Sequence, residues 1–186
     1  VNNLKTKSLA IKAGKTTFLK GNFDIKGLPE IDQTFLDLDL QQAYTNKQDL
    51  DYIIEKFTGK KDKVIPAIIG KLGNANFKGR FTGFTNDFVA FGEFKTQLGL
   101  VTSDLNMKLG KNSTSQYSGA VKVQDLDIGT LLDQKTLGRV SLQANIKGKN
   151  FDPKTLEEKA NGKIHYIDLN GYRYNNITLD GSYKNK

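Results

Sequence analysis

Between Asn76 and Leu109 the chain alternates apolar and polar residues with a period of two, broken only by turn formers. Phe77, Gly79, Phe81 and Gly83 share one parity, and Lys78, Arg80 and Thr82 the other. After Thr85-Asn-Asp87 the pattern resumes: Phe88, Ala90, Gly92, Phe94, Thr96 and Leu98 oppose Val89, Phe91, Glu93, Lys95 and Gln97. A break near Gly99 or at Thr102-Ser-Asp104 leads into Leu105, Met107 and Leu109, alternating with Asn106 and Lys108. Side chains of a strand point to opposite faces in turn, so this stretch predicts three consecutive half-buried strands in a meander.

The rest of the chain repeats the theme. Alternation predicts an edge strand within residues 1–16 (Leu9, Ile11) and a strand over Phe18–Ile25. It predicts others at Leu36, Leu38 and Leu40, at Tyr117–Val123, at Val140–Ile146, from Ile164 and Tyr166, and through Ile177, Leu179, Gly181 and Tyr183. Leu169-Asn-Gly-Tyr172 is a hairpin signal. The period changes at Leu50, Ile53, Ile54 and Phe57, whose spacing is that of one helical stripe, with Asn46 or Asp49 available as a cap. Val64–Leu72 is read as a short helix because Pro66 suits a first turn, and Asp152-Pro153 opens another to about Lys159. Gln124–Asp133 is read as an irregular connection, with one helical turn at Ile128–Leu132. A Gly-x-apolar unit recurs: Gly21-Asn-Phe23, Gly79-Arg-Phe81, Gly92-Glu-Phe94, Gly119-Ala-Val121, Gly138-Arg-Val140, Gly162-Lys-Ile164 and Gly181-Ser-Tyr183. Glycine inside a strand marks a bend or a close backbone approach. Here it lets strands curve around a shared side.

Composition narrows the function classes. With 186 residues the chain suffices for one sizeable domain, or for a segment of a repetitive one. Its polar ends, Val1-Asn-Asn and Lys184-Asn-Lys186, and the lack of a hydrophobic signal core at its start, lead to the expectation of a fragment of a much larger chain. Zero cysteines remove disulfides and thiolate metal sites. The net charge of +8 comes from basic residues scattered singly along strands, with one cluster at Lys60-Lys-Asp-Lys63. That suits a solvated face, while attraction to anionic headgroups or nucleic acid is the sharper alternative.

About ten strands with one apolar face each create a covering problem, because two or three short helices cannot shield them all. The sheet packs on a second sheet, closes as a barrel, or curls into an open trough. The fold expected is mainly β, a curled and mostly antiparallel sheet forming such a trough. The candidate lining is Phe23, Ile25, Leu38, Leu40, Phe81, Phe94, Leu98, Leu105, Met107, Leu142, Ile146, Ile164, Ile177 and Leu179. An acyl chain in that space gains up to about 0.8 kcal/mol per buried methylene.

Chemical machinery is sparse. Ala13-Gly-Lys-Thr-Thr17 resembles the end of a phosphate-binding loop, but Leu9 stands where its first glycine belongs. His165 is the only histidine, which argues against zinc hydrolase sites, and its alternation with Ile164 and Tyr166 turns it toward solvent, against a Ser-His-Asp triad. Asp37 and Asp39 share a polar strand face and read as solvated carboxylates. Asp125-Leu-Asp127 lacks the further ligands of a calcium loop. Asn112-Ser-Thr114 and Asn176-Ile-Thr178 fit the glycosylation sequon, which matters only in a secretory eukaryotic chain. Aromatics mostly share the apolar face and lysines the other, against single-strand nucleic-acid binding. No catalytic residue, cofactor or metal is expected.

Several phrases together resemble one family: Phe77-Lys-Gly-Arg-Phe-Thr-Gly-Phe-Thr-Asn-Asp-Phe-Val-Ala-Phe-Gly92, Leu98-Gly-Leu-Val-Thr-Ser-Asp-Leu-Asn-Met-Lys-Leu109 and Tyr117-Ser-Gly-Ala-Val-Lys-Val-Gln-Asp-Leu-Asp-Ile-Gly-Thr-Leu-Leu132. Leu137-Gly-Arg-Val-Ser-Leu-Gln-Ala-Asn-Ile-Lys-Gly148 and Ile167-Asp-Leu-Asn-Gly-Tyr-Arg-Tyr-Asn-Asn-Ile-Thr-Leu-Asp-Gly181 continue it. They resemble the β-repeat region of the TamB branch of AsmA-like proteins, in a form similar to Bacteroidetes sequences, over most of residues 17–184. The resemblance implies a periplasmic β-groove in an envelope protein anchored in the inner membrane. It further implies phospholipid transport towards the outer membrane, or outer-membrane protein assembly with a barrel partner of the TamA type. The family supplies no catalytic residues. Three readings follow: a non-enzymatic segment shielding lipid acyl chains, a module presenting β-edges to client proteins, and an extracellular β-sandwich adhesin or carbohydrate-binding module. Tyr172 and Tyr174 at one loop end motivate the last.

Overall fold

The computed structural model describes residues 2–28, 30, 33–58, 67–110, 114–150 and 155–184. Ten strands follow one another: β1 (Asn3–Ala13), β2 (Thr17–Lys26), β3 (Phe35–Thr45), β4 (Ala75–Phe84), β5 (Asp87–Lys95), β6 (Leu100–Lys108), β7 (Gln116–Asp127), β8 (Leu137–Lys149), β9 (Glu157–Leu169) and β10 (Tyr172–Lys184). They form a single antiparallel sheet in chain order, each strand bonded to its sequence neighbours. The sheet is not closed; among the described residues β1 bonds only β2, and β10 only β9. Among the described residues three short helices accompany it: α1 (Lys47–Thr58), α2 (Ala67–Gly70) and α3 (Ile128–Leu132). No helix among the described residues is long and apolar enough to cross a membrane.

Local chemistry explains the elements. Asn46 caps α1, its side chain accepting from the Asp49 amide at 3.0 Å. Asp127 caps α3 by accepting from the Thr130 amide at 2.8 Å, and Asp133 ends it in the left-handed conformation. The β5–β6 connection turns on Thr96, whose hydroxyl accepts from the amides of Leu98 and Gly99. The break therefore lies at residues 96–99, and Thr102-Ser-Asp104 runs through the middle of β6. Asn170 and Gly171, both with positive φ, make the β9–β10 hairpin that the dipeptide predicts.

Two expectations need correction. Gln124–Asp127 is not an irregular connection but the end of β7, carried past a bulge between Val123 and Leu126 with Asp125 at φ 53°. The helix read from Asp152 to about Lys159 does not reach its end: Glu157 already opens β9, pairing with Lys149 of β8 and Lys184 of β10. Two neighbouring strands satisfy that backbone, which overrides a weak helical preference. Residues 151–154 lie outside the described residues, as do 64–66 of the Val64–Leu72 helix, of which α2 supplies Ala67–Gly70 while Lys71 and Leu72 form a turn.

The core is thin and lies on one side. Phe23, Leu40 and Ala43 form one buried cluster, with Leu9, Ile11, Leu19, Leu38 and Phe77 against it. Val123, Leu126 and Val140 form another, joined by Ile128 and Leu131 of α3. Among the described residues no side chain falls below 2 % exposure, as expected of a sheet without a second layer over it.

Candidate functional site: one apolar sheet face

Directly opposed residues in an antiparallel sheet share a face, so the register can be followed from edge to edge. One transverse row reads Ile11, Leu19, Ala43, Phe77, Phe94, Val101, Val123, Leu142, Ile164 and Ile177. The next is Leu9, Gly21, Leu40, Gly79, Gly92, Ser103, Val121, Ala144, Gly162 and Leu179. Then come Thr6, Phe23, Leu38, Phe81, Ala90, Leu105, Gly119, Ile146, Ala160 and Gly181. The last row is Leu4, Ile25, Leu36, Gly83, Phe88, Met107, Tyr117, Gly148, Glu158 and Tyr183. Within these rows Glu158 is the single charged residue.

Thirteen of the fourteen candidate lining residues stand in these rows, on one face. The fourteenth, Leu98, sits in the 96–99 turn and packs on the Val123 cluster. Their exposure differs along the sheet: Phe23 is 4 % exposed and Leu40 8 %, whereas Phe94 and Ile177 reach 37 %. Aromatic neighbours stack on this face, Phe77 with Phe94 and Phe81 with Phe88, each at 4.4 Å between ring centres. Phe77, Val101, Val123 and Val140 belong to the wall but are absent from the sequence-derived list. The alternation already showed Phe77's parity; the weight of the others came only with the register.

The row through Gly79 is the narrow one. A Cβ at Gly79 (φ +156°) would stand 2.2 Å from the Phe91 carbonyl oxygen, and one at Gly162 2.1 Å from that of Gln143. Neighbouring backbones approach too closely there for any side chain. Gly21, Gly92 and Gly162 occupy the same row as Gly79, so four of the seven Gly-x-apolar units form a line across the sheet, with Gly119 and Gly181 in the next row.

The other face is polar. Arg80 holds Asp37 through two bonds of 2.8 and 2.7 Å, and the guanidinium keeps that carboxyl below the usual carboxylate range, with the Thr82 hydroxyl adding to the effect. Tyr166 donates to Asp125 while Arg173 lies 4.0 Å over its ring and pairs with Asp168. Phe91 and Val89 are exceptions, exposed apolar side chains on this face. His165 is exposed. Tyr172 and Tyr174, near the β9–β10 turn, are exposed as expected.

Two polar features escaped the sequence reading. The Gly14-Lys-Thr-Thr17 turn does bind a carboxylate, and it is Asp49 of α1. The amides of Lys15, Thr16 and Thr17 and both threonine hydroxyls donate to it, and the Lys15 and Thr16 amides lead in depressing its pKa. The phosphate-loop likeness is thus filled from within, tying α1 to the β1–β2 hairpin. On the apolar face the Tyr117 hydroxyl donates to Glu158 across Gly148, and burial together with that carboxylate raises the phenol's pKa. Among the described residues no group of His, Asp and Glu is placed to hold a metal ion. Comparison of this chain with protein-family models, with curated proteins and with solved structures returned no match.

Proposed function

We propose that the sheet curls about its apolar face into an open trough, and that this trough shields lipid acyl chains in the envelope of a bacterium. The observation that carries the reading is the apolar face itself: four unbroken rows spanning ten strands with one charge among them. An apolar sheet face needs a cover, and α3 covers only the Val123 cluster. The glycine row supports curvature, since strands coil where side chains are missing on one side. Hydrocarbon is a fitting occupant because polar side chains are few on this face, Thr6, Ser103, Tyr117, Glu158 and Tyr183 in its rows, and each methylene sheltered is worth about 0.8 kcal/mol. In this reading the chain is a non-enzymatic part of an inner-membrane-anchored periplasmic protein of the TamB and AsmA-like kind. Phospholipid is its cargo, and an outer-membrane barrel of the TamA type is a partner.

The test uses matched neighbours on opposite faces. A photoreactive fatty acid is crosslinked to the chain, alongside native mass spectrometry for co-purified lipid. Leu105→Lys places a charge in the trough and lowers labelling several-fold, while Asn106→Lys, one residue on and facing away, leaves it unchanged. Equal effects of the two substitutions, or no labelling of the wild-type chain, would sink the proposal.

A second reading rests on β10. Its outer edge is unpaired among the described residues, and Tyr174, Ile177 and Tyr183 are exposed along it. Such an edge accepts another strand by β-augmentation, which suits a module presenting edges to client outer-membrane proteins. Crosslinks from β10 to a client in the absence of bound lipid would favour it.

A further inference from the structure

Among the described residues the register sets like charges directly opposite one another at two points, both on the polar face. Asp24 faces Asp37, and the chain neutralises that pair itself: Lys5 and Lys26 each lie 3.7 Å from Asp24, and Arg80 holds Asp37 at 2.7 Å. Lys147 of β8 faces Lys159 of β9, and there no carboxylate of the described residues answers. The adjacent row shows what an answered row looks like. Glu157 lies between Lys149 and Lys184 and takes both, at 3.6 and 2.7 Å.

The unanswered pair lines a cavity of about 630 Å³ at the end of the sheet where β8 finishes and β9 begins. The cavity's carboxylates are already engaged: Asp87 with Lys108, Glu157 with its two lysines, and Glu158 with the Tyr117 hydroxyl. Flanking Lys147 and Lys159 in the same row are Ser118 of β7 and Ser182 of β10. The two ammonium-bearing residues are neighbours across the β8–β9 pair, with a serine one strand further out on each side. Like charges held opposite each other in a sheet are destabilising unless something lies between them.

We infer that this row binds a phosphate group. The two lysines neutralise it as point charges and donate to its oxygens. The phosphate is that of a lipid headgroup or of a small free phosphate ester, which share this chemistry. Lys147 and Lys159 lie on the face opposite the trough rows, although Met107, Tyr117, Gly148, Glu158 and Tyr183 of the trough's last row also line the cavity at this end of the sheet.

The test is an amide NMR titration of the full chain with inorganic phosphate and, separately, with dihexanoyl phosphatidic acid below its micelle concentration. Saturable shifts at the amides of Ser118, Lys147, Lys159 and Ser182 are expected. Lys147→Gln with Lys159→Gln weakens binding by about tenfold or more, the loss of two charge-assisted bonds. The corresponding double arginine variant retains binding. Lys122→Gln, on the same face but outside the cavity, changes nothing. Tighter binding of the lipid than of inorganic phosphate assigns a headgroup, and equal binding assigns a free phosphate; both support the site. Absence of saturation with both probes overturns it, as does undiminished binding by the double glutamine variant or equal weakening by Lys122→Gln. Both substituted side chains are exposed, and amides remote from the cavity report whether the fold persists.

Discussion

The two margins of the sheet carry the same alternation and end in different states. On the β2–β4 side, Phe23 is 4 % exposed, with β1 folded beside it and the hairpin turn fastened to α1 through Asp49. On the β9–β10 side, Ile177 on the same face is 37 % exposed, and Tyr172 and Tyr183 are more exposed still. β1 is defended as an edge by Lys5, Lys7 and Lys12 and by a register shift between Thr6 and Leu9. β10 has charges at Arg173, Asp180 and Lys184, leaving the stretch around Ile177 open. Burial here depends on how many neighbours flank a position, not on its hydrophobicity. One margin is finished, and the other offers its apolar face and its edge.

That contrast breaks most clearly by truncation. Phe23→Ala is expected to cost about 3–5 kcal/mol, the usual range for emptying a buried aromatic site. Ile177→Ala costs less than about 1 kcal/mol, as a half-open position does. Urea denaturation of the two variants checks this, and equal losses would show that β10 is as tightly packed as β2. Glycine substitution gives opposite signs. Gly79→Ala forces a methyl against the Phe91 carbonyl and destabilises by about 1–3 kcal/mol. Gly181→Ala meets nothing within 4 Å and is neutral, or stabilising by up to about 1 kcal/mol. Thermal melts of this pair distinguish the two margins.

Acid sharpens the comparison further. The folded pKa of Asp49 is depressed, so its contribution is fully present above the unfolded carboxylate value of about 3.9 and is lost as pH falls below it. Asp49→Asn is therefore expected to destabilise the chain at pH 7 and to flatten the decline in stability below about pH 4. A wild-type curve and a variant curve of the same shape would remove Asp49 as the fastening. Smallest in stability is the edge effect: Ile177→Lys leaves the melt nearly unchanged but suppresses concentration-dependent association measured by sedimentation, if β10 is the open edge.

Much of this architecture was legible. Phe77, Phe81, Phe88 and Phe94 could be assigned to one face because parity along a strand is a local property. Asn46 and Asn170-Gly171 announced a helix start and a hairpin through residues within a turn of each other. Glu157–Lys159 misled because the strands that recruit them, β8 and β10, are set by pairing rather than by their own preference. The Gly14–Thr17 turn resembles only the end of a phosphate loop and fails that motif, and the carboxylate it does hold lies more than thirty positions away in the chain. Lys147 and Lys159 looked like two more solvated lysines until the register set them opposite each other.

Alternation by itself determined that the chain forms amphipathic strands and which side chains share a face, since backbone pleating dictates both within a single strand. Tertiary structure decided the rest: a single open sheet in chain order, the alignment of Gly21, Gly79, Gly92 and Gly162 into one row, and the burial of Phe23 beside the exposure of Ile177. Those depend on register between strands, and register is fixed by bulges, turns and cross-strand packing that no single strand contains.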